Sequence, residues 1–264
     1  MTRRERDDRA RERVSGNRLL AALPEIERAR LARHLARVPL RLKQVLYHPG
    51  QTIDLLYFPD AGAVSLVAAM ADGRSVEVGI VGREGVVGVH ALYDNARMPW
   101  AAVVQLAGEA WALPIRDLRR ERRVGGAALP DVLGRYVQTV LIQAMQSGAC
   151  AGLHSIRQRA ARWILTMQDL AKADQFSVTQ ERLALMLGVR RPTVSVVARR
   201  LQRARLIDYR HGKLAVLDRA GLQRASCECY VTLREQPFVT SPGSPKRASR
   251  FLPDILPGLL TLAS

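Results

Sequence analysis

Hydrophobic and polar residues follow different spacings in successive parts of the chain. Residues 17–36 carry apolar side chains at helical intervals with a break at Pro24, which predicts two short helices. From residue 45 to residue 113 the period becomes two, as expected for strands with one buried face. Two such runs, at residues 64–69 and 76–80, flank the turn pair Asp72-Gly73 and predict a β-hairpin.

Several more short strands are predicted in this region, each bounded by Gly, Pro or Asp. They lie at residues 55–58, 86–89, 103–106 and 110–113. Many short strands joined by frequent turns indicate a β-roll or jelly-roll barrel.

Helical spacing returns at residues 129–152, where apolar and small residues recur at alternating intervals of four and three. The positions are Leu133, Val137, Val140, Ala144, Ser147 and Ala151. This pattern is typical of a two-stranded coiled coil, so we interpret the segment as a dimerisation helix. The alternative is a helix that packs on the chain's own β-domain.

Residues 177–218 have the pattern of two short helices followed by a hairpin. Thr179 is a good N-cap residue, and Gly188 can end the first helix in a left-handed conformation. Pro192 lies in the first turn of the second helix, where its missing N–H has no intrahelical partner. Residues 210–213 fit the tip of the hairpin.

The second of these helices has one aliphatic and one basic face. Val194, Val197 and Leu201 share one stripe, whereas Arg199 and Arg203 belong to the opposite one. A short basic helix held by its apolar back is what reading of the DNA major groove requires.

The net charge supports a polyanionic partner. The 264 residues include 41 Lys and Arg against 24 Asp and Glu, a formal charge of +17. Residues 154–213 hold 13 basic and 4 acidic residues, a net +9, so the charge is concentrated around the two helices. No P-loop, metalloprotease helix or nucleophile elbow is present, so we expect no enzyme activity and no catalytic residues. Without an apolar run long enough for a membrane, we expect a cytoplasmic protein with no membrane partner.

The segment TQERLALMLGVRRPTVSVVARRLQRARLI, with the following HGKLAVLD, resembles the winged helix-turn-helix of the Crp/Fnr family of bacterial transcription regulators. The resemblance extends from about Asn17 to Tyr230. It implies an α+β fold with an N-terminal β-roll of the cyclic-nucleotide-binding type, a long dimerisation helix and a C-terminal winged helix-turn-helix. It also implies a homodimer that binds palindromic double-stranded DNA and acts with RNA polymerase. The alternative is a ligand-binding module that regulates a protein partner.

Five parts are expected along the chain. They are a disordered basic arm at residues 1–16, a sensor β-roll at 17–125, a dimerisation helix at 126–152, a winged helix-turn-helix at 153–221 and a largely disordered extension at 222–264.

The expected DNA contacts come from the two short helices and the hairpin tip. They are Thr179, Gln180, Arg190, Arg191, Pro192, Thr193, Ser195, Val196, Arg199, Arg200 and Lys213. Arg191 is expected to contact guanine, Ser195 a base or phosphate, and Val196 a thymine methyl group. Gln180, the other arginines and the lysine are expected to hold phosphates. The Crp and Fnr branches carry Glu and Arg where this chain has Pro192 and Val196, so their usual half-site is not expected.

The resemblance also identifies a candidate effector pocket. In cyclic-AMP receptors of this family, a Gly-Glu pair and an Arg-Ser pair hold the cyclic phosphate. Here Val86 stands in place of Glu, and Pro99 and Trp100 stand in place of Arg and Ser. We therefore expect no cyclic AMP; the pocket either binds another effector or is vestigial. Its candidate lining residues are Gly85, Val86, Gly88, Arg97 and Trp100.

Two other cofactors of the family have ligand requirements of their own. An Fnr-type iron–sulfur cluster needs several N-terminal cysteines, and the first cysteine here is Cys150, so no such cluster is expected. A haem sensor stays open, with His34, His48 or His90 as an axial ligand.

Three cysteines, Cys150, Cys227 and Cys229, are expected to be free thiols that pack in the interior. Cysteines separated by one residue point to opposite sides of a regular helix. A zinc site that joined them to His154 would therefore require an irregular segment at residues 227–229. No metal site is assigned from the sequence.

Overall fold

Two short helices precede an antiparallel sheet in this computed structural model, which describes residues 16–92, 96–123 and 128–234. Helix α1 (Arg18–Ala21) and helix α2 (Glu25–Ala32) are separated at Pro24, as predicted. The Asn17 side chain caps α1 and also donates hydrogen bonds to the carbonyls of Pro59 (2.8 Å) and Gly85 (2.9 Å). The buried Asn17 amide thus helps to fasten the helices to the sheet domain, together with the Arg18 amide, which donates to the Arg83 carbonyl (2.7 Å).

The sheet contains five strands whose inner side chains form one apolar core. They are β1 (Ala36–Leu40), β2 (Val45–Tyr47), β3 (Leu55–Ala69), β4 (Ser75–Val81) and β5 (Ala101–Pro114). Their order is β1-β5-β3-β4, with β2 also paired to β5, and every pair is antiparallel. The predicted hairpin is the β3–β4 pair.

Two features of this sheet differ from the predicted strands. The runs at 55–58 and 64–69 belong to one long strand, β3, and those at 103–106 and 110–113 belong to β5, because register shifts bend these strands without ending them. Residues 86–89 were predicted as a strand, but Val87 forms only an isolated bridge to Tyr57. Gly88 has a φ of +92°, which breaks the extended backbone before a short 3-10 turn (Val89–Leu92).

Three helices lead from the sheet to the C-terminal domain. Helix α3 (Ile115–Arg123) follows β5, and α4 (Ala128–Leu153) is the longest described helix. Helix α5 (Ile156–Ala171) begins at Ser155, which forms a reciprocal capping box with Gln158. The cap keeps α4 and α5 as separate helices only a few residues apart. Within the described residues, no helix combines the length and the apolar character needed to cross a membrane.

The C-terminal domain is a three-stranded sheet with helices packed on it. The elements are β6 (Gln175–Ser177), α6 (Gln180–Leu187), α7 (Arg191–Arg203), β7 (Ile207–Arg210), β8 (Lys213–Val216), α8 (Arg219–Ala225) and α9 (Cys229–Arg234). The sheet order is β6-β8-β7. At the predicted hairpin tip, His211 and Gly212 have φ values of 50° and 74°, as in the two-residue turns that suit hairpins.

The first part of the predicted C-terminal extension is folded. Helix α8 continues to Ala225, and Leu222, Cys229 and Tyr230 are buried. The expectation of disorder is therefore corrected for residues 222–234, where apolar side chains pack in the interior. Residues 1–15 of the predicted arm and 235–264 of the extension lie outside the described residues.

The β-domain and the C-terminal domain contact each other. Arg182 of α6 donates from Nε to Gln105 Oε1 (2.6 Å) and from a terminal nitrogen to the Val104 carbonyl (2.9 Å). Trp163 of α5 donates to Glu77 Oε1 of β4 (3.0 Å). Charged and polar side chains thus join the two domains. The alternation of apolar and polar residues along β4 did not predict this contact.

Candidate nucleic-acid interface and effector cleft

Helices α6 and α7 are joined by a tight turn whose geometry depends on two residues. Thr179 caps α6 through its hydroxyl, which accepts a hydrogen bond from the Arg182 amide (3.2 Å). Gly188 ends α6 with a φ of 65°, and a Cβ at this position would lie 3.0 Å from the Val76 side chain. The predicted cap and the predicted turn are both confirmed.

Helix α7 buries its aliphatic stripe and exposes its basic one. Val194 and Leu201 are almost fully buried, whereas Val196 is 42 % exposed. Exposed residues on the outer side of this turn and helix include most of the predicted contacts, namely Arg191, Pro192, Thr193, Val196, Arg199 and Arg200, together with Arg190 just before the helix. A helix of this shape and charge matches the width and the potential of a DNA major groove.

Hydrogen bonds hold the polar side chains at the start of α7. The Ser195 hydroxyl donates to Gln180 Oε1 (2.6 Å), and this hydrogen bond links α7 to the start of α6. Arg191 Nε lies 2.7 Å from Glu181 Oε1, and both side chains are exposed. The first turn of α6 and the neighbouring guanidinium lower the pKa of Glu181, so the pair stays ionised near neutral pH. Arg191 is therefore held at the N-terminal end of α7, where recognition helices contact bases.

The hairpin formed by β7 and β8 lies beside α6. The carbonyl of Gly212 accepts a hydrogen bond from the Val178 amide (2.8 Å), and the buried Tyr209 hydroxyl donates to the Val178 carbonyl (2.9 Å). Lys213 is exposed at the tip. The hairpin is thus a wing anchored to the segment that starts the first helix.

Comparisons with known proteins agree with this arrangement. Residues 158–225 match the Crp-like helix-turn-helix domain, and residues 37–123 match the cyclic nucleotide-binding domain. The chain belongs to the Crp/Fnr family of transcription regulators. It is a Crp/Fnr-type regulator with a helix-turn-helix DNA-binding domain. No curated protein sequence matches it significantly.

Solved structures of similar fold come from the same family. FixK2 from Bradyrhizobium japonicum is 17 % identical with a TM-score of 0.62, over 73 % of this chain and 98 % of that one. The CRP-family regulator TTHB099 from Thermus thermophilus is 22 % identical with a TM-score of 0.61, over 72 % and 96 %. A Crp/Fnr-family protein from Eubacterium rectale is 15 % identical with a TM-score of 0.63, over 79 % and 97 %. At these identities the likeness concerns the fold.

The β-roll of this Crp/Fnr regulator borders a cleft of about 1320 Å³ that also contacts α4 and the C-terminal domain. Of the predicted pocket residues, Val86, Gly88 and Trp100 line this cleft. Arg97 donates from a terminal nitrogen to the Gly50 carbonyl (3.0 Å), so its guanidinium is bound outside the cleft lining. The structure therefore brings three of the predicted pocket residues to one cleft, whereas Arg97, the cation among them, does not line it.

Gly85, the remaining predicted pocket residue, is covered by the long helix. A Cβ at Gly85 would lie 2.4 Å from the Tyr136 hydroxyl, so the aromatic ring closes over this glycine. Tyr136 is buried, and burial raises its pKa. Burial likewise raises the pKa of the neighbouring Glu84. A tyrosine and a carboxyl group thus lie near Gly85 at the predicted pocket.

The first part of the predicted dimer seam lies on the inner side of α4, whereas Ala144 is exposed. Leu133 is fully buried in the chain's own β-domain, and Val137 and Val140 pack against the same core. Ala144 and Ser147 line the interdomain cleft. The prediction that Leu133 contacts a second helix is therefore wrong, because this side chain is buried in its own domain. The sequence could not distinguish the two cases, since a helix that packs on a domain and a helix that packs on a second helix have nearly the same spacing of apolar residues.

The structure leaves a different stripe of α4 open. Leu141 is 59 % exposed and Met145 is 68 % exposed. Gly134, Gly148 and Gly152 lie on the same face of the helix, nearer to its two ends, and a Cβ at any of them would meet no other atom within 4 Å. These five residues, which we call the outer stripe, recur at intervals of seven, four, three and four.

The histidines considered as haem ligands have separate surroundings. His34 lies 3.6 Å from a Glu121 carboxylate oxygen, and His90 packs edge-on against Trp100. His48 is exposed. Burial lowers the pKa of His90.

One cluster of side chains was considered from the sequence but was assigned no metal. Cys150, His154, Cys227 and Cys229, called the Cys/His cluster below, have donor atoms that all lie within 4.8 Å of one another. Burial raises the pKa of the Cys227 and Cys229 thiols. Part of the cluster was visible in the sequence, because Cys150 and His154 are spaced by one helical turn.

Proposed function

We propose that this Crp/Fnr regulator binds a palindromic operator as a homodimer in the cytoplasm, and acts on RNA polymerase from that site. The observation that carries the proposal is the exposed basic face of α7 opposite its buried stripe of Val194, Val197 and Leu201. Two copies related by a twofold axis would place their α7 helices in successive major grooves, about one helical turn apart.

Base reading is assigned to the first turns of α7. Arg191 would leave Glu181 to make a bidentate contact with guanine, and the exposed Val196 would meet a thymine methyl group. Ser195 stays bonded to Gln180 and is suited to a phosphate or a base edge. Arg190, Arg199 and the other exposed cations of this surface would hold phosphates and set the register.

Dimerisation is assigned to the outer stripe of α4. Leu141 and Met145 are large apolar side chains with most of their surface exposed, and the flanking glycines allow a second helix to approach closely. A symmetric pair of such helices would bury these side chains at no cost to the β-domain core, which uses the other side of α4.

The β-roll is proposed to bind an effector other than cyclic AMP, or none. Tyr136 and Glu84 lie near Gly85 at the predicted pocket, and Arg97 is bonded to the Gly50 carbonyl. We assign no catalytic residue, since the proposed role is binding and not chemical conversion.

Selection from a random duplex DNA library at physiological salt tests this function directly. The full chain is used without added ligand, because moderate salt suppresses nonspecific phosphate binding. Enrichment of a palindrome with half-sites about one helical turn apart supports the proposal. The selection is then repeated with added cell extract, which supplies an effector if DNA binding requires one. If neither selection enriches a palindrome, a regulatory module acting on a protein partner replaces the present proposal.

A further inference from the structure

The Cys/His cluster lies where the long helix meets the end of the C-terminal domain. The Cys150 and Cys227 sulfurs are 3.6 Å apart, and Cys229 Sγ is 3.6 Å from His154 Nδ1. The three cysteines are buried, at 1 %, 3 % and 0 % exposure, and form an apolar cluster of their own, apart from both domain cores. Because the chain between Cys150 and Cys227 includes most of the C-terminal domain, the fold assembles this cluster.

Two local features aim the four side chains at one point. Cys150 and His154 are one helical turn apart at the end of α4, and the His154 amide donates to the Cys150 carbonyl (3.1 Å). Cys227 lies between α8 and α9, after Ser226 adopts an extended backbone with a ψ of 170°. This break is the irregular segment that lets Cys227 and Cys229 face the same side.

The spacing of the donor atoms fits a single tetrahedral metal ion. With Zn–S bonds of about 2.3 Å and Zn–N bonds of about 2.05 Å, two sulfurs lie about 3.8 Å apart, and a sulfur and a nitrogen lie about 3.6 Å apart. The Cys150–Cys227 sulfur pair and the Cys229–His154 pair, each 3.6 Å apart, agree with these two values. All donors lie within 4.8 Å of one another, which is too compact to enclose a cluster of several irons.

Surrounding side chains match the outer partners of a metal site. His154 Nε2 lies 3.1 Å from Glu228 Oε1, so the carboxylate orients the ring and leaves Nδ1 for the metal. Gln146 donates a hydrogen bond to Cys229 Sγ (3.1 Å), as amides do to metal-bound thiolates. The Arg159 guanidinium interacts electrostatically with Cys150 and Cys227. Its positive charge offsets the negative charge left by three thiolates on a divalent ion.

We propose that the Cys/His cluster binds one zinc ion through its three sulfurs and the Nδ1 atom of His154. Three soft thiolates with one imidazole favour zinc over magnesium, calcium or manganese, and four protein ligands leave no position open for catalysis. The site is structural. It clamps the end of α4 to the α8–α9 junction and so holds the DNA-binding domain at the base of the long helix.

Metal analysis of the full chain, purified under reducing conditions, is the first test. We expect about one zinc per chain by elemental mass spectrometry. Replacement by Co²⁺ should produce thiolate-to-cobalt charge-transfer absorption and the intense visible bands of a tetrahedral ion. Cys227→Ser and His154→Ala should each lose most of the bound metal. His48→Ala, which removes an exposed histidine outside the cluster, should keep it.

A second variant keeps the test valid if the ligand variants fail to fold. Glu228→Gln alters an exposed outer partner, and we expect metal affinity to fall roughly 10–100-fold in a chelator competition while the fold is retained. The proposal is overturned if reconstituted chain binds no zinc and titrates as three free thiols. It is equally overturned if Cys150 and Cys227 form a disulfide in the purified protein, or if iron with acid-labile sulfide is found in place of zinc.

Discussion

Arg191 is the single residue on which the proposed base reading depends most. Its guanidinium lies at the N-terminal end of α7 in an exposed ion pair with Glu181, and because such a pair contributes little free energy, a base contact can replace it at small cost. A bidentate contact between arginine and guanine is worth about 1–3 kcal/mol of discrimination against the wrong base.

We therefore expect Arg191→Ala to weaken binding to the selected operator by about 1–3 kcal/mol and to relax specificity at one base pair of each half-site. Fluorescence anisotropy on operators with single substitutions measures both effects. Arg224→Ala removes an exposed arginine on α8 and should leave specificity intact. Uniform weakening of all operators by Arg191→Ala would make this residue a phosphate contact instead.

Glu77 is a half-buried carboxyl group between the two domains. It accepts hydrogen bonds from the Ser65 hydroxyl (2.5 Å) and from Trp163 Nε1 (3.0 Å), with the charges of Arg162 and Arg182 near by. Burial nevertheless raises the pKa of Glu77 to about 7 from an ordinary 4.5. The folded state therefore holds this proton more tightly than the unfolded state does.

This pKa determines how the stability of the domain contact depends on pH. The raised pKa contributes stability that is complete below about pH 4.5 and is lost as pH rises through about 7. The Glu77→Gln side chain is neutral at every pH, so the variant should not show this loss of stability. In the wild type the loss in the free energy of unfolding is a few kcal/mol at most. Urea unfolding of both proteins at pH 5.5 and pH 8 tests it. An unchanged difference between the two pH values would mean that Glu77 ionises normally.

Helix α4 shows how one element serves two surfaces. Its spacing of four and three residues was predicted from the sequence, but the same intervals recur on several faces of the helix. The chosen face, which includes Leu133, is the one that the β-domain buries. Local periodicity identifies an amphipathic helix, and only the placement of the sheet decides which face is left for a partner.

The outer stripe provides the corresponding test of dimerisation. Leu141→Asp places a charge on the exposed face, and we expect the dimer to dissociate at least about tenfold more readily, about 1.4 kcal/mol. Sedimentation equilibrium measures the change. Ile26→Asp alters a side chain that is 81 % exposed on α2 and should leave the dimer intact. Equal dissociation constants for Leu141→Asp and the wild type would move the interface elsewhere.

The same contrast between local and long-range information holds for the candidate sites. The caps at Thr179 and Gly188 and the two faces of α7 depend on neighbours in sequence, and the structure confirms them. The sequence raised the Cys/His cluster only as a possibility, because the contact between Cys227 and Cys150 depends on the fold and on the irregular backbone before Cys227. The contact of Arg182 with Gln105 was unpredictable for the same reason.

At the scale of the whole molecule, the cleft between the domains is where an effector would couple to DNA binding. A ligand stabilises the protein only if it binds the folded state, and a ligand present at about 100 times its Kd adds about 2.7 kcal/mol. At the predicted pocket of this cleft, Tyr136 and Glu84 lie near Gly85, and the charges of Arg18 and Arg83 act on the Glu84 carboxyl group, with which a cyclic phosphate would have to compete.

We accordingly expect cyclic AMP to leave the unfolding temperature of the full chain unchanged, whereas the selected operator duplex should raise it. The duplex is the positive control, since it reports that the preparation is folded and competent to bind. Gly85→Ala sharpens the comparison, because the new methyl group would press on the Tyr136 hydroxyl and lower stability whether or not a nucleotide is present. A cyclic-AMP-dependent rise in the wild type that is lost in Gly85→Ala would place a nucleotide site at this glycine and refute our assignment. If neither protein responds to the nucleotide while the wild type still responds to DNA, any effector of this regulator has a chemistry other than that of cyclic AMP.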